Sequence, residues 1–597
     1  MNKSSCRYYR KYHRERIRLM HAYPHYPERK TISLDGIWDF TFLNTSKPLA
    51  ALQISRIQNL SFDSLMAVPG VFDTALGCEG RRGIAVYRKR LSDFTKGNFR
   101  LKINGMGLIG RIFVNGSEIG KYPSPYSHRE YSFGPFDPEK QNVMEIIILV
   151  DNRFSSEAAP FFLPEFDFYA YGGIYRSIEL QQIPESCFLD RVQIRTVDLE
   201  TGTVKLRILL GGERIPQSIE FKVAFDEGES SLLRAEVSHG VAEAELRVPD
   251  FKIWSPESPN LHLARVSIPG DSIMERFGIR TVKAEKQEIL LNGKPVRLLG
   301  VNRHESHPEL GPVQNEHLVL EDLKALKLLG ANFIRCVHYP QDQAFLDLCD
   351  QMGFLVWHES IGWGLEADAI EQHLDSFVEE TRIMTRNSVN NPSVIIIAFL
   401  NEGHSEKEKA VPCYRKIAEA IREEDPSRLV SFASCHLDND LCLEFADVVS
   451  FNMYPGWIWP AGQDTAGAQI APFMKEKTAW VNAQESLRDK PFIISEIGAC
   501  ALYGFHDKNL APWSEEFQAD YMLAACQAAA SEERIKGIVL WQMFDTKTFI
   551  RGPVRGKARG FNCAGLLDEY RRPKLAFDVV KEEFQKQSQA FPALPAR

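Results

Sequence analysis

A chain of 597 residues is too long for a single hydrophobic core, and 44% hydrophobic with 25% charged residues is an ordinary globular balance. The formal net charge of −8 removes any overall electrostatic reason to expect nucleic acid or an anionic membrane as partner. No segment approaches the roughly 18 uninterrupted apolar residues of a membrane span.

Lys3 to Arg18 carries seven Lys or Arg against one acid, Glu15, and reads as a solvated basic arm within residues 1–30. The arm lacks the apolar stretch of a secretory signal. The 11 cysteines are scattered, with no CxxC and no metal-type spacing, so a reducing cytoplasm is the expected setting.

Residues 31–184 read as short strands broken by Gly and Pro, such as Gly36–Phe42, Phe99–Asn104 and Met144–Val150, which is a β-sandwich pattern. Residues 185–284 alternate apolar and polar positions, as in Val204–Leu209 and Ala242–Val248, and suit an immunoglobulin-like β-sandwich. From 285 to 597 the rhythm changes. Apolar runs at Val296–Gly300, Ala331–Arg335, Phe354–His358, Val394–Leu400, Leu429–Phe432, Val448–Phe451, Phe492–Ser495 and Ile538–Trp541 are separated by amphipathic stretches. The latter include His317–Leu329, Gln341–Met352 and Val411–Glu424, and the whole predicts a (β/α)₈ TIM barrel.

Barrel enzymes carry their chemistry at the C-terminal ends of strands. The fourth run ends in Asn401-Glu402-Gly403 and the seventh in Glu496-Ile-Gly-Ala499, so two carboxylates stand at two strand mouths. Glycoside hydrolysis with retention needs two carboxyls about 5–5.5 Å apart, one protonated and one ionised. One such Glu could be a surface or ion-pair residue; two on these strands point to a catalytic pair.

The motifs around them resemble glycoside hydrolase family 2, the group of β-galactosidases, β-glucuronidases and β-mannosidases. Leu34-Asp-Gly-Ile-Trp38 is similar to its N-terminal opening, and Asp167 to Arg176 to the segment closing its sandwich. Gly300 to Glu305 and Arg335 to Pro340 are similar to its first two barrel-strand ends. The resemblance implies a jelly-roll-like sugar-binding sandwich ahead of the other two domains. It also implies that Glu402 is the acid/base, Glu496 the nucleophile, Asn401 a partner of the sugar 2-hydroxyl and Tyr454 a donor to Glu496. Trp541 would wall the sugar, while Asp167, His338 and Asn562 would contact it. A homo-oligomer is expected only by analogy with the family.

Two departures matter. The β-glucuronidases carry Asn-x-Lys-Gly after the eighth strand, whose Asn and Lys hold the substrate carboxylate; here the stretch is Asn562-Cys-Ala564-Gly565. Losing a paired cation costs about 2–5 kcal/mol, so the first expectation is a neutral hexose, β-galactoside above others. The alternative is a β-hexuronidase using Arg551, Arg555, Lys557 or Arg559 from the preceding loop. The test is whether one of them reaches the subsite near Asn562. The large β-galactosidases also bind magnesium through an extra Glu-x-His, where this chain has His358-Glu359-Ser360, so no metal or other cofactor is expected. A lectin that has lost catalysis is disfavoured by the presence of both carboxylates, Asn401 and Tyr454.

Overall fold

The computed structural model describes residues 23–53, 57, 60–158, 160–163, 166–457, 466–549 and 557–590. The basic run Lys3–Arg18 and the loop residues Arg551 and Arg555 lie outside them. No helix among the described residues is long and apolar enough to cross a membrane.

The first part of the chain forms two antiparallel sheets of four and six strands. Inward-facing Trp38, Phe40, Tyr87, Leu101, Ile112 and Ile148 fill the space between them. The middle part is a seven-stranded antiparallel arrangement. Within it Ser231–Ser238 pairs first with Ser218–Phe225 and then, at its end, with Val241–Arg247, so it changes sheets. Thr203–Gly211 buries every second side chain, as one core-facing strand surface requires.

The catalytic part is a barrel of eight parallel strands: β1 (Leu298–Arg303), β2 (Phe333–Cys336), β3 (Leu355–Glu359), β4 (Val394–Ala398), β5 (Leu429–Ser431), β6 (Val449–Asn452), β7 (Phe492–Ile497) and β8 (Ile535–Leu540). Ladders join neighbours from β5 back to β1 and on through β8 and β7 to β6. The Ser434–Phe451 bridge then closes the ring between β5 and β6. Each expected apolar run contributes a strand. The eighth starts earlier than expected, at Ile535, and ends at Leu540, which leaves Trp541 just past its end.

Helices follow from local chemistry. Asn315 accepts from the His317 N–H to start Glu316–Leu329, and Gly330 ends it at φ 86°. Asp342 caps Gln343–Met352 in the same way, so this helix begins two residues later than expected. A small sheet (Val282–Glu285, Glu288–Leu291, Lys294–Pro295) and Trp254 seal the barrel's lower end.

The first sandwich is fastened onto the barrel mouth by Arg176. Its guanidinium pairs with Glu305 at 2.7 Å and donates to the carbonyls of Pro340 at 2.6 Å and Tyr126 at 2.8 Å, all within a buried seam. Tyr126 stacks on Tyr339 beside it, ring centroids 3.7 Å apart. Removing the guanidinium strands the buried Glu305 carboxylate. Arg176→Leu should therefore destabilise the chain by about 3–5 kcal/mol, seen as a fall in urea midpoint. An unchanged midpoint would mean that Arg176 does not fasten the two domains.

Candidate active site

The upper ends of β1, β2, β3, β4 and β7 converge on one buried cation. Arg335, fully buried in β2, donates to Glu496 at 2.5 Å and Asn302 at 3.0 Å through Nη1. Its Nη2 donates to Glu359 at 2.9 Å and Asn401 at 2.7 Å, and its Nε reaches Glu359 at 3.2 Å. A charged residue inside the apolar run of β2 was the sequence signal for this role, and it went unused.

Glu496 lies near the end of β7 and is 4% exposed. Its second oxygen accepts from the Tyr454 hydroxyl at 2.6 Å. Burial raises its carboxyl, and Arg335 and Tyr454 pull the other way.

Glu402 follows β4 on a turn in which Leu400 (φ 47°) and Glu402 (φ 51°) are both left-handed. That turn costs on the order of 1–2 kcal/mol per residue. A backbone hydrogen bond from Glu402 to Ala433, 2.9 Å, anchors it. Gly403 completes the turn because a Cβ there would lie 2.6 Å from the Tyr414 hydroxyl. Asn452 donates to Glu402 at 2.8 Å, and Asn452 is the register partner of Glu496 across β6 and β7. The same amide donates to Asn401 at 3.1 Å and accepts from Ser495 at 2.8 Å, contacts the sequence reading missed. Burial, followed by the charge of Glu496, pushes the Glu402 carboxyl up to about 8.

His338 and Asn401 complete the inner wall. His338 Nδ1 sits 3.0 Å from Glu359, whose oxygen can only accept, so Nδ1 carries the proton. Burial and Arg335 hold this imidazole well below its ordinary value, hence neutral. Its Nε2, like the Asn401 Nδ2, is buried and finds no hydrogen-bond partner among the described residues. Trp541 stacks on His338 at 5.5 Å and packs with Val337, Cys500 and Ala564. Tyr454, Trp457 and Trp513 pack against that cluster.

Asp167 comes from the sandwich. It accepts from Asn562 Nδ2 at 2.7 Å and lies 3.3 Å from the Lys557 ammonium. Burial works against the Lys557 charge, but Asp167 more than offsets it and holds the ammonium above its ordinary range. Lys557 also stands 5.3 Å over the Trp457 ring. Of the other described cations in this region, Arg559 turns away to Glu569 at 2.9 Å. Lys574 is buried behind the site, its three protons spent on Asp545, Ala501 and Cys563 at 2.7–2.9 Å.

All eight expected site residues therefore lie close together at the barrel mouth, with Asp167 near enough to act on Glu402 and Tyr454 by its charge. Arg335, Asn452 and Lys557 join them, and Glu359 anchors Arg335 and His338.

The chain matches the sequence profile of glycosyl hydrolases family 2, TIM barrel domain, over residues 282–588, and the family 2 profile over 187–280. It is 30% identical to β-glucuronidase of Sus scrofa over 446 residues, 70% of this chain and 65% of that protein. It is 26% identical to the Rattus norvegicus β-glucuronidase over 94% of this chain and 91% of that one. Among solved structures it resembles a family 2 β-galacturonidase from Eisenbergiella tayi bound to galacturonate. The TM-score is 0.85 at 30% identity, covering 96% of this chain and 99% of that one. With the barrel profile alone spanning more than half of its length, the chain belongs to glycosyl hydrolase family 2.

Proposed function

We propose that the chain is a retaining exo-β-hexuronidase that removes terminal β-linked glucuronate or galacturonate. The observation that carries this reading is Lys557, a partly buried ammonium beside Asn562 and Asp167. Its two contacts to Asp167, 3.3 and 3.4 Å, are longer than a well-formed ammonium–carboxylate bond and leave donors to spare. On this reading the cation expected to be lost with Ala564 is supplied by Lys557 of the preceding loop, which meets Asn562 through Asp167. The uronide reading displaces β-galactoside, whose support was the family's base rate and the missing Lys, with no positive galactose determinant. Relatives named as β-glucuronidase and β-galacturonidase favour the same substrate class.

In the mechanism that follows, Glu496 attacks the anomeric carbon while Glu402 gives its proton to the departing glycosidic oxygen. The resulting glycosyl–Glu496 ester is opened by water that Glu402, now ionised, deprotonates, and the anomeric configuration is retained. Asn401 Nδ2 offers a donor and His338 Nε2 an acceptor to sugar hydroxyls. Asp167 contacts the sugar from the sandwich side, and Trp541 supplies an apolar face. The ten described cysteines, all unpaired, are in keeping with a reducing compartment.

Lys557→Met should lower kcat/KM on aryl β-glucuronide and β-galacturonide by about 30-fold or more, the equivalent of about 2 kcal/mol. Turnover of the matching neutral β-glycosides should not fall. Unchanged uronide hydrolysis would remove Lys557 from substrate recognition, and a wild-type preference for neutral sugars would end the uronide reading itself.

The pH profile follows from Glu402. Its raised value keeps the proton in place up to about pH 8 and loses it above, so kcat/KM should fall as pH rises through about 8. In Glu402→Ala, with a leaving group too activated to need protonation, this alkaline limb should vanish. A limb that persists there belongs to another group.

A further inference from the structure

Two loops at the top of the barrel bring His404, Glu406 and His436 together, the one group of three His, Cys, Asp or Glu with ligand-type spacing among the described residues. His404 and Glu406 follow β4, directly beyond Glu402, and His436 follows β5. Glu406 lies between the imidazoles: its Oε1 is 3.1 Å from His404 Nδ1 and its Oε2 is 3.2 Å from His436 Nε2. The latter two atoms are buried, yet neither forms a hydrogen bond of acceptable geometry. Neighbouring ligands on a tetrahedral zinc ion, each about 2.0–2.1 Å from it, stand about 3.3 Å apart. The other nitrogen of His404 faces Glu366 at 3.5 Å, the outer carboxylate that commonly orients a metal-bound imidazole.

The loops are pre-set rather than loose. Asp440 accepts from both Ser405 and Ser434, from the latter at 2.6 Å, and from the backbone of Cys442 at 2.7 Å. Ser434 in turn accepts from the His436 N–H at 3.1 Å. One carboxylate therefore locks the His404 loop to the His436 loop whatever lies between them.

We propose that His404, Glu406 and His436 form a binding site for a zinc-class divalent cation, separate from the sugar site, that clamps the loop carrying Glu402 to its neighbour. Two imidazoles, one carboxylate and an open side towards solvent fit zinc in a three-ligand site completed by water. They do not suit calcium or magnesium, which ask for oxygen.

Zn²⁺ alone is the probe. Chelator-treated full-length protein should bind one equivalent by calorimetry and gain thermal stability as it does so. His404→Ala, His436→Ala and Glu406→Gln should each weaken binding by at least about tenfold and abolish the thermal gain. His506→Ala, which breaks an exposed His506–Glu516 pair lacking a third ligand, should change neither. Wild-type protein that binds no zinc overturns the proposal, as does binding that survives in all three site variants.

Discussion

The arrangement of the active site depends on how one buried guanidinium is spent. Arg335 has five N–H groups, and the five hydrogen bonds it makes reach Glu496, Asn302, Glu359 and Asn401. A buried cation so fully engaged fixes the position of each acceptor around it. It also fixes the charge count. Two carboxyl groups, Glu496 and Glu359, already share one cation, so ionising a third nearby adds an unpaired charge in a low-dielectric space. Glu402 is that third carboxyl: burial raises it first, and the charge of Glu496 raises it further. The acid and nucleophile roles proposed for the two glutamates thus follow from which one Arg335 touches. The sign of the His338 imidazole follows too: with Glu359 on one nitrogen and Arg335 close by, it stays neutral and presents a lone pair.

The sandwich domain is part of this site rather than an appendage. Phe168 packs against His304, His338 and Tyr339 at 5.3–5.9 Å, so one sandwich residue braces the imidazoles of the inner wall. Its neighbour Asp167 turns towards Asn562 and Lys557. The backbone joins in, Tyr169 donating to the Lys547 carbonyl at 2.9 Å. The Arg176–Glu305 pair holds this edge in register with the barrel, which is why a buried ion pair of modest net stability is worth keeping there: it fixes an orientation.

Much of this was legible in the sequence. Eight apolar runs became eight strands, because a fully buried parallel strand needs nothing but apolar side chains and leaves an unbroken signature. The two glutamates were readable because barrel topology assigns meaning to a strand end. What escaped was long-range. Arg335 was visible as a cation in an apolar run, but its four partners lie on four other segments, and no spacing rule links position 335 to 496. Asn452 looked like any polar strand end until the register against Glu496 was known. The His404–Glu406–His436 group was hidden likewise, since the expectation of no metal rested on the one motif position where relatives hold magnesium. The choice among four loop cations could not be made from composition, because all four are equally basic on paper.

What separates Lys557 from the buried lysine nearby is the state of its donors. Lys574 is closer to the motif position in sequence and more deeply buried, yet each of its three protons meets an acceptor at 2.7–2.9 Å, and Asp545 balances its charge. Such a group has nothing left for a ligand, and withdrawing it would leave Asp545 unpaired. Among the described residues the Lys557 ammonium bonds to Asp167, at 3.3–3.4 Å, with the indole of Trp457 on one side. A carboxylate arriving there need not displace a strong bond; it can use a free proton of the ammonium while Asn562 keeps Asp167 in position. A neutral hydroxymethyl group would gain far less, since a hydrogen bond to a neutral acceptor is worth roughly half of one between charged partners. On the proposed uronidase reading, the preference for a uronic acid over its neutral counterpart rests on an incompletely satisfied cation held close to the sugar, with Ala564 part of the apolar cluster that Trp457 packs against.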